Sequence, residues 1–367
     1  MKFTCERDVI MKEISVAAEI ISSRNALSIL SNVYIEAGEN ELTIRATDLK
    51  VGFETKLPVE VAEPGSTTVF CDKFLGILRS LPSGEVEFEQ EDSERFVIRP
   101  LFKKIDFRLK SISSDKYPEV QFAPPESYFE FPQADLITMI TQTIFAVSDD
   151  ETRYFMNGVY LENLDGQLVM VATDGRRLSY VRNTPSSAIP EFSGVIVPPK
   201  VLNLIRKLAS GEGNVQLAVA QKNVFVQFDS QRVSSALIEG QFPNYKRVIP
   251  EGQQYRVLVK RAGDVIPQVV APLLVEKSRR IYLTVAADSI TLKSEESDIG
   301  AASEEISCGY DGPETTLALN FTYLMDPLRV IDSEEITLNF TESNKAITIN
   351  PEPEADYFHI VMPMQLD

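Results

Sequence analysis

The chain carries one pattern three times, and that repeat constrains its fold more than any other feature. Ala46-Thr47-Asp48-Leu49-Lys50 returns as Ala172-Thr173-Asp174-Gly175-Arg176. Lys73-Phe74-Leu75-Gly76-Ile77-Leu78-Arg79 returns as Lys200-Val201-Leu202-Asn203-Leu204-Ile205-Arg206. Asp115-Lys116-Tyr117-Pro118-Glu119-Val120 is echoed by Pro243-Asn244-Tyr245-Lys246-Arg247-Val248, and a fainter third copy sets Leu328-Arg329 where the first has Leu78-Arg79. Short repeats stack because a single unit cannot bury its own apolar face. A unit of about 120 residues can hold a core of its own. The repeat therefore predicts three similar whole domains, at about 1–122, 125–250 and 254–367, divided by Pro-rich breaks at 118–127 and 250–254.

Each copy follows one grammar. A strand such as Tyr128-Phe129-Glu130-Phe131 opens it, and a helical segment follows, over 7–22 and then 133–147. Leu136, Ile137, Ile140, Ile144 and Val147 fall on one face of the second. Short strands come next, at 158–162 and 167–172, and then a second helix at 72–80 and 198–208. Pro198 and Pro199 suit a first helical turn, where a missing N–H costs nothing. The later strands 85–89, 214–219 and 335–340 alternate apolar and polar residues, so each buries one face. Two helices and about eight strands per domain make the class α+β. In the third copy the first helical segment, 260–275, holds Pro267 and Pro272, which predicts a short or bent helix.

Composition excludes several classes of function. Hydrophobic content of 44% with 25% charged residues is that of a soluble globular protein, and no apolar run approaches a membrane span. Met1-Lys2-Phe3-Thr4-Cys5-Glu6 lacks the apolar core of a signal peptide. Cys5, Cys71 and Cys308 are odd in number and scattered, which fits free thiols in a reducing compartment rather than a disulfide framework or a zinc site. The single histidine, His359, cannot build a His-based metal site alone and reads as structural. No cofactor is expected.

A net charge of −18 argues against nucleic acid only if the charge is spread evenly. It is not. The 198–208 segment carries Lys200, Arg206 and Lys207 with no acid, and Arg79, Arg206 and Arg329 hold one place in three copies. Arg24 and Arg153 follow the first helices of copies one and two, with Tyr154 and Phe155 beside Arg153; Lys277, Arg279 and Arg280 hold the matching place in copy three. Acidic residues crowd 85–94 and 352–356 instead. One such cation is usually a solvated helix face; repetition at matched positions raises a functional reading above that. A second polarity separates the first domain from the third. Residues 103–110 read as a basic strand, Lys-Lys-Ile-Asp-Phe-Arg-Leu-Lys, and 295–305 as an acidic one. As edge strands they can pair between chains, with charge setting register and partner; the plainer reading is two edges whose charges block aggregation.

Four stretches in order carry a resemblance: Thr152-Arg153-Tyr154-Phe155-Met156-Asn157-Gly158, Ala172-Thr173-Asp174-Gly175-Arg176-Arg177-Leu178, Phe242-Pro243-Asn244-Tyr245-Lys246-Arg247-Val248-Ile249-Pro250, and Val361-Met362-Pro363-Met364-Gln365-Leu366. With them the chain resembles, over its whole length, the bacterial sliding clamps, the beta subunits of DNA polymerase III. The resemblance implies the DNA clamp fold: three domains, each with two helices packed on antiparallel sheets, and two chains closing head to tail into a six-domain ring. If two helices per domain line a pore with axes about 8–10 Å apart, six helices leave almost no hole, whereas twelve leave roughly 21–28 Å, enough for a duplex.

The implied function is a non-catalytic processivity factor that encircles double-stranded DNA, slides without sequence preference and tethers the polymerase. Its expected partners are the replicative polymerase alpha subunit, the clamp loader and repair polymerases, each docking a short peptide motif, with no membrane. The expected place is the cytoplasm, at the nucleoid. The positions implied for DNA are Arg24, Lys73, Arg79, Arg153, Tyr154, Phe155, Lys200, Arg206 and Lys207. Those implied for the peptide cleft between domains two and three are Met156, Thr173, Gly175, Arg176, Arg177, Leu178, Pro243, Arg247 and Val248, with Asn320, Tyr323, Ile360, Met362, Pro363, Met364 and Leu366. Methionines and prolines make an adaptable apolar groove suited to many partners. Without the resemblance, Asp174-Gly175 reads as a hairpin turn and the C-terminal stretch as a last strand. The dimer contact is expected at Lys103, Lys104, Arg108, Leu273, Glu295, Glu296, Asp298, Glu304 and Glu305.

Gln365 stands where the family usually has arginine, Arg176 where histidine is common, and Pro272, beside Leu273, where an aliphatic residue is normal. Two other readings stay open. A DNA-acting enzyme lacks support from any phosphate loop, metal cluster or nucleophile–base pair in the sequence. A monomeric docking scaffold that never encircles DNA remains the alternative, and oligomeric state separates it from the clamp.

Overall fold

The computed structural model describes residues 1–21, 28–124, 127–185, 187–260, 279–295, 298 and 300–366. Of the expected helix at 260–275, only Lys260 is described, and it ends a strand; the rest, with Pro267 and Pro272, lies outside the described residues, as do Arg24, Leu273, Lys277 and Glu296. The chain begins with β1 (Lys2–Glu6), α1 (Arg7–Ile20), β2 (Asn32–Ala37), β3 (Glu41–Thr47), β4 (Val51–Pro58), β5 (Glu60–Glu63), β6 (Gly65–Phe70), α2 (Cys71–Ser80), β7 (Glu85–Asp92), β8 (Arg95–Pro100) and β9 (Phe107–Ile112). It continues with β10 (Phe129–Pro132), α3 (Gln133–Thr143), β11 (Val159–Leu164), β12 (Gln167–Thr173), β13 (Arg177–Asn183), β14 (Val195–Val197), α4 (Pro199–Leu208), β15 (Asn214–Val219), β16 (Asn223–Gln227) and β17 (Gln231–Ala236). The last part holds β18 (Tyr255–Lys260), β19 (Arg280–Ala286), β20 (Ser289–Ser294), β21 (Ser303–Gly309), β22 (Thr315–Asn320), α5 (Phe321–Val330), β23 (Glu335–Phe340), β24 (Ile347–Glu352) and β25 (Tyr357–Val361). Among the described residues no helix is long and apolar enough to cross a membrane.

The chain divides into two compact units. One holds Met1–Phe131 and Gly213–Leu237, the other Pro132–Glu212 and Ile238–Asp367. This division falls inside the expected middle domain because sheets, not sequence repeats, knit the chain. In the first unit β17 pairs antiparallel with β4, Gln231 opposite Thr55 and Ser235 opposite Val51, so one 13-stranded sheet runs from β10 to β5. In the second, β13 pairs with β25 in the same way, Arg177 opposite Val361 and Val181 opposite Tyr357, within a 12-stranded sheet. The closing bonds repeat as well: Ala236 N donates to Lys50 O at 2.7 Å, and Met362 N to Arg176 O at 2.9 Å.

In the first unit the helices bury one face each. α1 buries Ile10, Ile14, Ala17 and Ile20, and the spacing of three or four keeps them in one stripe. α2 buries Phe74, Leu75 and Leu78. Phe74 meets Phe88 and Phe96 edge-on, and Phe3 stacks on Phe88 at 4.9 Å. Edge-to-face rings add to the area they bury. In the second unit α4 starts on Pro199, one residue after the expected 198, with Pro198 as its extended N-cap, and buries Val201, Leu202, Leu204 and Ile205. α3 ends earlier than the predicted 147: the α-helix closes at Thr143 and tightens into a 3-10 turn over Ile144–Ala146. Thr143 Oγ1 turns back onto Met139 O at 2.7 Å, the local bond by which threonine competes with helix propagation.

The 103–110 strand is a correction. β8 ends at Pro100, Leu101–Lys103 turn, and β9 begins only at Phe107, so Lys103 and Lys104 lie outside any strand. The turn is fastened by Lys103 N to Pro100 O and Ile105 N to Lys103 O. In the same way β21 begins at Ser303, leaving Glu295 and Asp298 ahead of it.

Candidate functional site

The second copy of the repeated turn builds a polar site in the second unit. Thr173 Oγ1 donates to Arg177 O at 2.6 Å and accepts from Gly175 N at 3.1 Å. Asp174 Oδ1 accepts from the backbone N–H groups of Arg176 and Arg177 at 2.9 and 3.1 Å. A short polar side chain that accepts backbone N–H groups fixes a tight turn, and Gly175 takes its left-handed position at φ +88°.

Arg177 leaves this turn and gathers three elements. Its Nε donates to Asp174 Oδ2 at 3.1 Å, its Nη1 to Asp326 Oδ2 on α5 at 2.6 Å, and its Nη2 to Phe145 O at 2.6 Å. The guanidinium also lies over the Tyr323 ring at 4.7 Å and the Phe145 ring at 5.6 Å. Such a planar fork, paired with carboxylates and stacked on rings, is a task lysine cannot do. Asn320 caps α5, accepting from Thr322 N at 2.9 Å and Tyr323 N at 3.4 Å. The C-terminal segment is tied in by Met364 N donating to Ala318 O at 2.7 Å.

Around this hub, Met156, Leu178 and Ile360 are buried, Pro243, Pro363 and Met364 are half-buried, and Arg176, Arg247, Val248, Met362 and Leu366 are exposed. The turn, β13, α5, β25 and the C-terminal segment thus place an apolar floor beside adaptable apolar side chains. His359 lies on β25 with 1% exposure, its ring near Phe145 and Tyr357, and neither ring nitrogen finds a hydrogen-bond partner among the described residues. Burial, reinforced by the Arg177 charge, pushes its pKa down to about 3, so the ring stays neutral. Burial also raises the Tyr323 hydroxyl, with Asp174 adding to the effect.

Sequence reasoning missed Asp326, Phe145 and Ala318. Asp326 offers no pattern beyond its helical spacing to Arg329, and the other two accept through backbone carbonyls, which no side-chain pattern announces, although Phe145 also offers its ring to Arg177.

The basic positions fall on helix ends. Arg79 lies in the last turn of α2, Arg206 and Lys207 in that of α4, and Arg329 in that of α5. Cations there complement the helix dipole. Lys73, Arg79, Lys200, Arg206 and Lys207 are all exposed. Arg206 also reaches Asn203 Oδ1 at 3.1 Å, and Arg329 reaches Asp326 Oδ1 at 3.4 Å. Arg153 is held differently. It pairs with Asp150 at 2.8 Å and lies against Gly175, where a Cβ would sit 2.9 Å from its Nη1. Thr152 and Arg153 together pull the Asp150 carboxyl down to about 2. The structure therefore brings together two residues, Arg153 and Gly175, that the sequence assigned to different sites. Tyr154, exposed at 53%, packs edge-on against Phe155 at 5.9 Å.

The two charged edges have matching geometry. Phe107–Lys110 of β9 pair with β8, and β6 takes only Ser111 and Ile112. Ser303–Ser307 of β21 pair with β20, and β18 takes only Cys308 and Gly309. Among the described residues, each strand therefore has one unpaired edge, basic at Arg108 and Lys110, acidic at Glu304 and Glu305. Among the described residues no group of three or more His, Cys, Asp or Glu is placed to hold a metal ion.

Three domain patterns of the DNA polymerase III beta subunit match the chain: the N-terminal domain over residues 1–121, the central domain over 130–244 and the C-terminal domain over 246–365. The beta sliding clamp of Treponema pallidum is 44% identical, with all of both chains covered. Among solved structures, a sliding clamp of Pseudomonas aeruginosa bound to griselimycin aligns at a TM-score of 0.93 with 28% identity, and that of Bacillus subtilis at 0.93 with 25% identity, each covering all of both chains.

Proposed function

The chain belongs to the DNA polymerase III beta subunit family, the bacterial sliding clamps, and we propose how its own residues perform the clamp's work. It is a processivity factor for DNA replication with the clamp fold. The observation that carries this reading is the full-length match, three consecutive clamp domains across one chain. Two chains close head to tail, the basic edge of β9 meeting the acidic edge of β21 of a second copy. A heterologous contact of this kind closes into a ring when the rotation allows. The unpaired edges at Phe107–Lys110 and Ser303–Ser307 support this reading over a monomeric scaffold, because an exposed ladder edge invites pairing with another chain.

Processivity then comes from topology rather than tight binding. A ring around duplex DNA cannot leave without opening, so weak contacts suffice and strong ones would impede sliding. Lys73, Arg79, Lys200, Arg206 and Lys207 supply exposed cations for phosphates, a sequence-independent and salt-sensitive attraction. Arg24, Arg153, Tyr154 and Phe155 complete the DNA-facing set. The remaining acidic surface discourages DNA elsewhere.

The Arg177 hub organises the peptide cleft. Holding the turn, α5 and the end of α3 together, it keeps Leu178, Ile360 and Met156 as a fixed floor while Val248, Met362 and Leu366 adapt to short motifs of polymerase, loader and repair proteins. The protein carries no chemistry of its own and works in the cytoplasm. Primer extension by a family replicative polymerase with loader and ATP tests the proposal. Long products that require this protein, and shorten when Met362 and Leu366 are both changed to serine, are the expected outcome. Products no longer than those of polymerase alone would contradict it.

A further inference from the structure

The first copy of the repeated turn borders a pocket of about 170 Å³ within the first unit. Thr47, Leu49, Lys50, Gly52 and Val120 line it. Aligned by the repeat, they are the counterparts of Thr173, Gly175, Arg176, Leu178 and Val248, five of the positions expected in the peptide cleft. The sheet beneath follows the same plan. Gly52 on β4 pairs with Ser234 on β17, as Leu178 on β13 pairs with Ile360 on β25. Ser234 in turn pairs with Phe225 on β16, and both line the pocket. Gly52 lets the linker come in close, since a Cβ there would lie 2.5 Å from Val120 Cγ1, and the linker becomes one wall. Leu49 lines the pocket while 67% exposed and held in the left-handed region at φ 73°. Backbone strain of this kind clusters at ligand clamps.

We infer that this pocket is a second and weaker docking site for short peptides in which an apolar residue stands next to an acidic one. The inference rests on the cleft reading above. Charge selects that occupant. Lys50, like its counterpart Arg176, is exposed, and it has no carboxylate partner among the described residues. Glu119, on the linker wall, repels an acid there and so directs the occupant's carboxylate to Lys50. Size selects the apolar residue. A cavity of about 150 Å³ holds one benzene ring, so this pocket takes a single side chain against Leu49, Val120 and Phe225. The site is the weaker of the two because its floor is reduced: Val51 stands in place of Arg177, Gly52 of Leu178 and Ser234 of Ile360.

Isothermal titration of the full chain tests this, with a synthetic peptide copied from the docking motif of a family replicative polymerase and carrying aspartate beside leucine. Wild type is expected to bind two peptides per chain, the second about 10- to 100-fold more weakly, the effect of the missing apolar floor. Met362→Ser with Leu366→Ser should remove the tight site and leave the weak one. Lys50→Glu should weaken only the weak site, about 3- to 10-fold; its side chain is exposed, so the fold is untouched. Gly52→Leu should abolish the weak site by filling the pocket. One peptide per chain, with the tight site intact, overturns the second pocket and leaves the cleft standing. Two peptides per chain, with the weak site unmoved by Lys50→Glu and by Gly52→Leu, would place that site elsewhere and overturn the inference. No binding at all overturns the cleft reading and this one together.

Discussion

The two turns at Thr47–Val51 and Thr173–Arg177 have one backbone and different surroundings. In both, the threonine Oγ1 donates to the carbonyl four residues on, at 2.9 and 2.6 Å, and accepts from the N–H two residues on. In both, the aspartate Oδ1 accepts from the next two available N–H groups. Both place their third residue in the left-handed region, Leu49 at φ 73° and Gly175 at φ 88°. They diverge at the fifth residue and the one after it. The first has Val51 and Gly52, and Val120 sits so close that a Cβ on Gly52 would lie 2.5 Å from its Cγ1. The second has Arg177 and Leu178: the arginine recruits Asp326, Phe145 and Tyr323, and the leucine forms floor. A duplicated scaffold thus gathers a polar hub through Arg177, while its twin packs the linker residue Val120 against Gly52.

Breaking the hub should have the largest effect. Arg177→Ala takes the guanidinium partner from Asp326 and Asp174, both largely shielded, and should cost about 1–3 kcal/mol in urea unfolding, since Arg329 and the turn's backbone N–H groups still reach them. It should also weaken binding of a fluorescent cleft peptide about 30-fold or more. A loss of stability under about 0.5 kcal/mol would mean that the hub contributes little.

Giving the first turn the second's residue comes next. Gly52→Leu meets Val120 Cγ1 and Ser234 Oγ, the latter at 2.7 Å, and should cost about 1–3 kcal/mol by overpacking. The same substitution should create no new peptide affinity, because Val51 brings no hub. Exchanging the left-handed residues separates the turns further. Gly175→Ala should cost about 1–2 kcal/mol, from its φ and from Arg153 Nη1. Leu49→Gly should change stability by less than about 1 kcal/mol, since relieved strain offsets added chain entropy. Thermal melts of the two variants should shift unequally; equal shifts would deny the difference between them.

His359 gives the second region a pH dependence just below neutrality. Its folded pKa is depressed to about 3 from 6.5, so the neutral ring's contribution is complete above pH 6.5. It is lost as pH falls, because the unfolded chain takes up the proton first. At pH 5.5 this should amount to about 1.4 kcal/mol. Urea titrations at pH 7.5 and 5.5 should show a smaller difference for His359→Phe than for wild type; an identical difference would remove His359 from the account.

Much of this was legible in the sequence. The repeats located α2 and α4, and their basic last turns, because amphipathic spacing and a Pro start are local signals. The strand read over 103–110 failed because Ile105-Asp106-Phe107-Arg108-Leu109-Lys110 alternates like a strand from its first residue, whereas Pro100 and the backbone bonds of the turn decide where the ladder starts. The cleft residues around 173–178 were named through resemblance, but the bond from Arg177 to Asp326 spans 149 residues, and no local pattern encodes it. The sequence points Arg153 to DNA by its charge at a position matched between copies; its pairing with Asp150 and its contact with Gly175 depend on a fold-level approach.

The central claim is topological, and retention on nicked circular versus linearised plasmid tests it most directly, after loading with a clamp loader and ATP. The account predicts that the protein stays on the circle and runs off the linear form. Equal retention on both would mean ordinary affinity binding and would contradict the clamp.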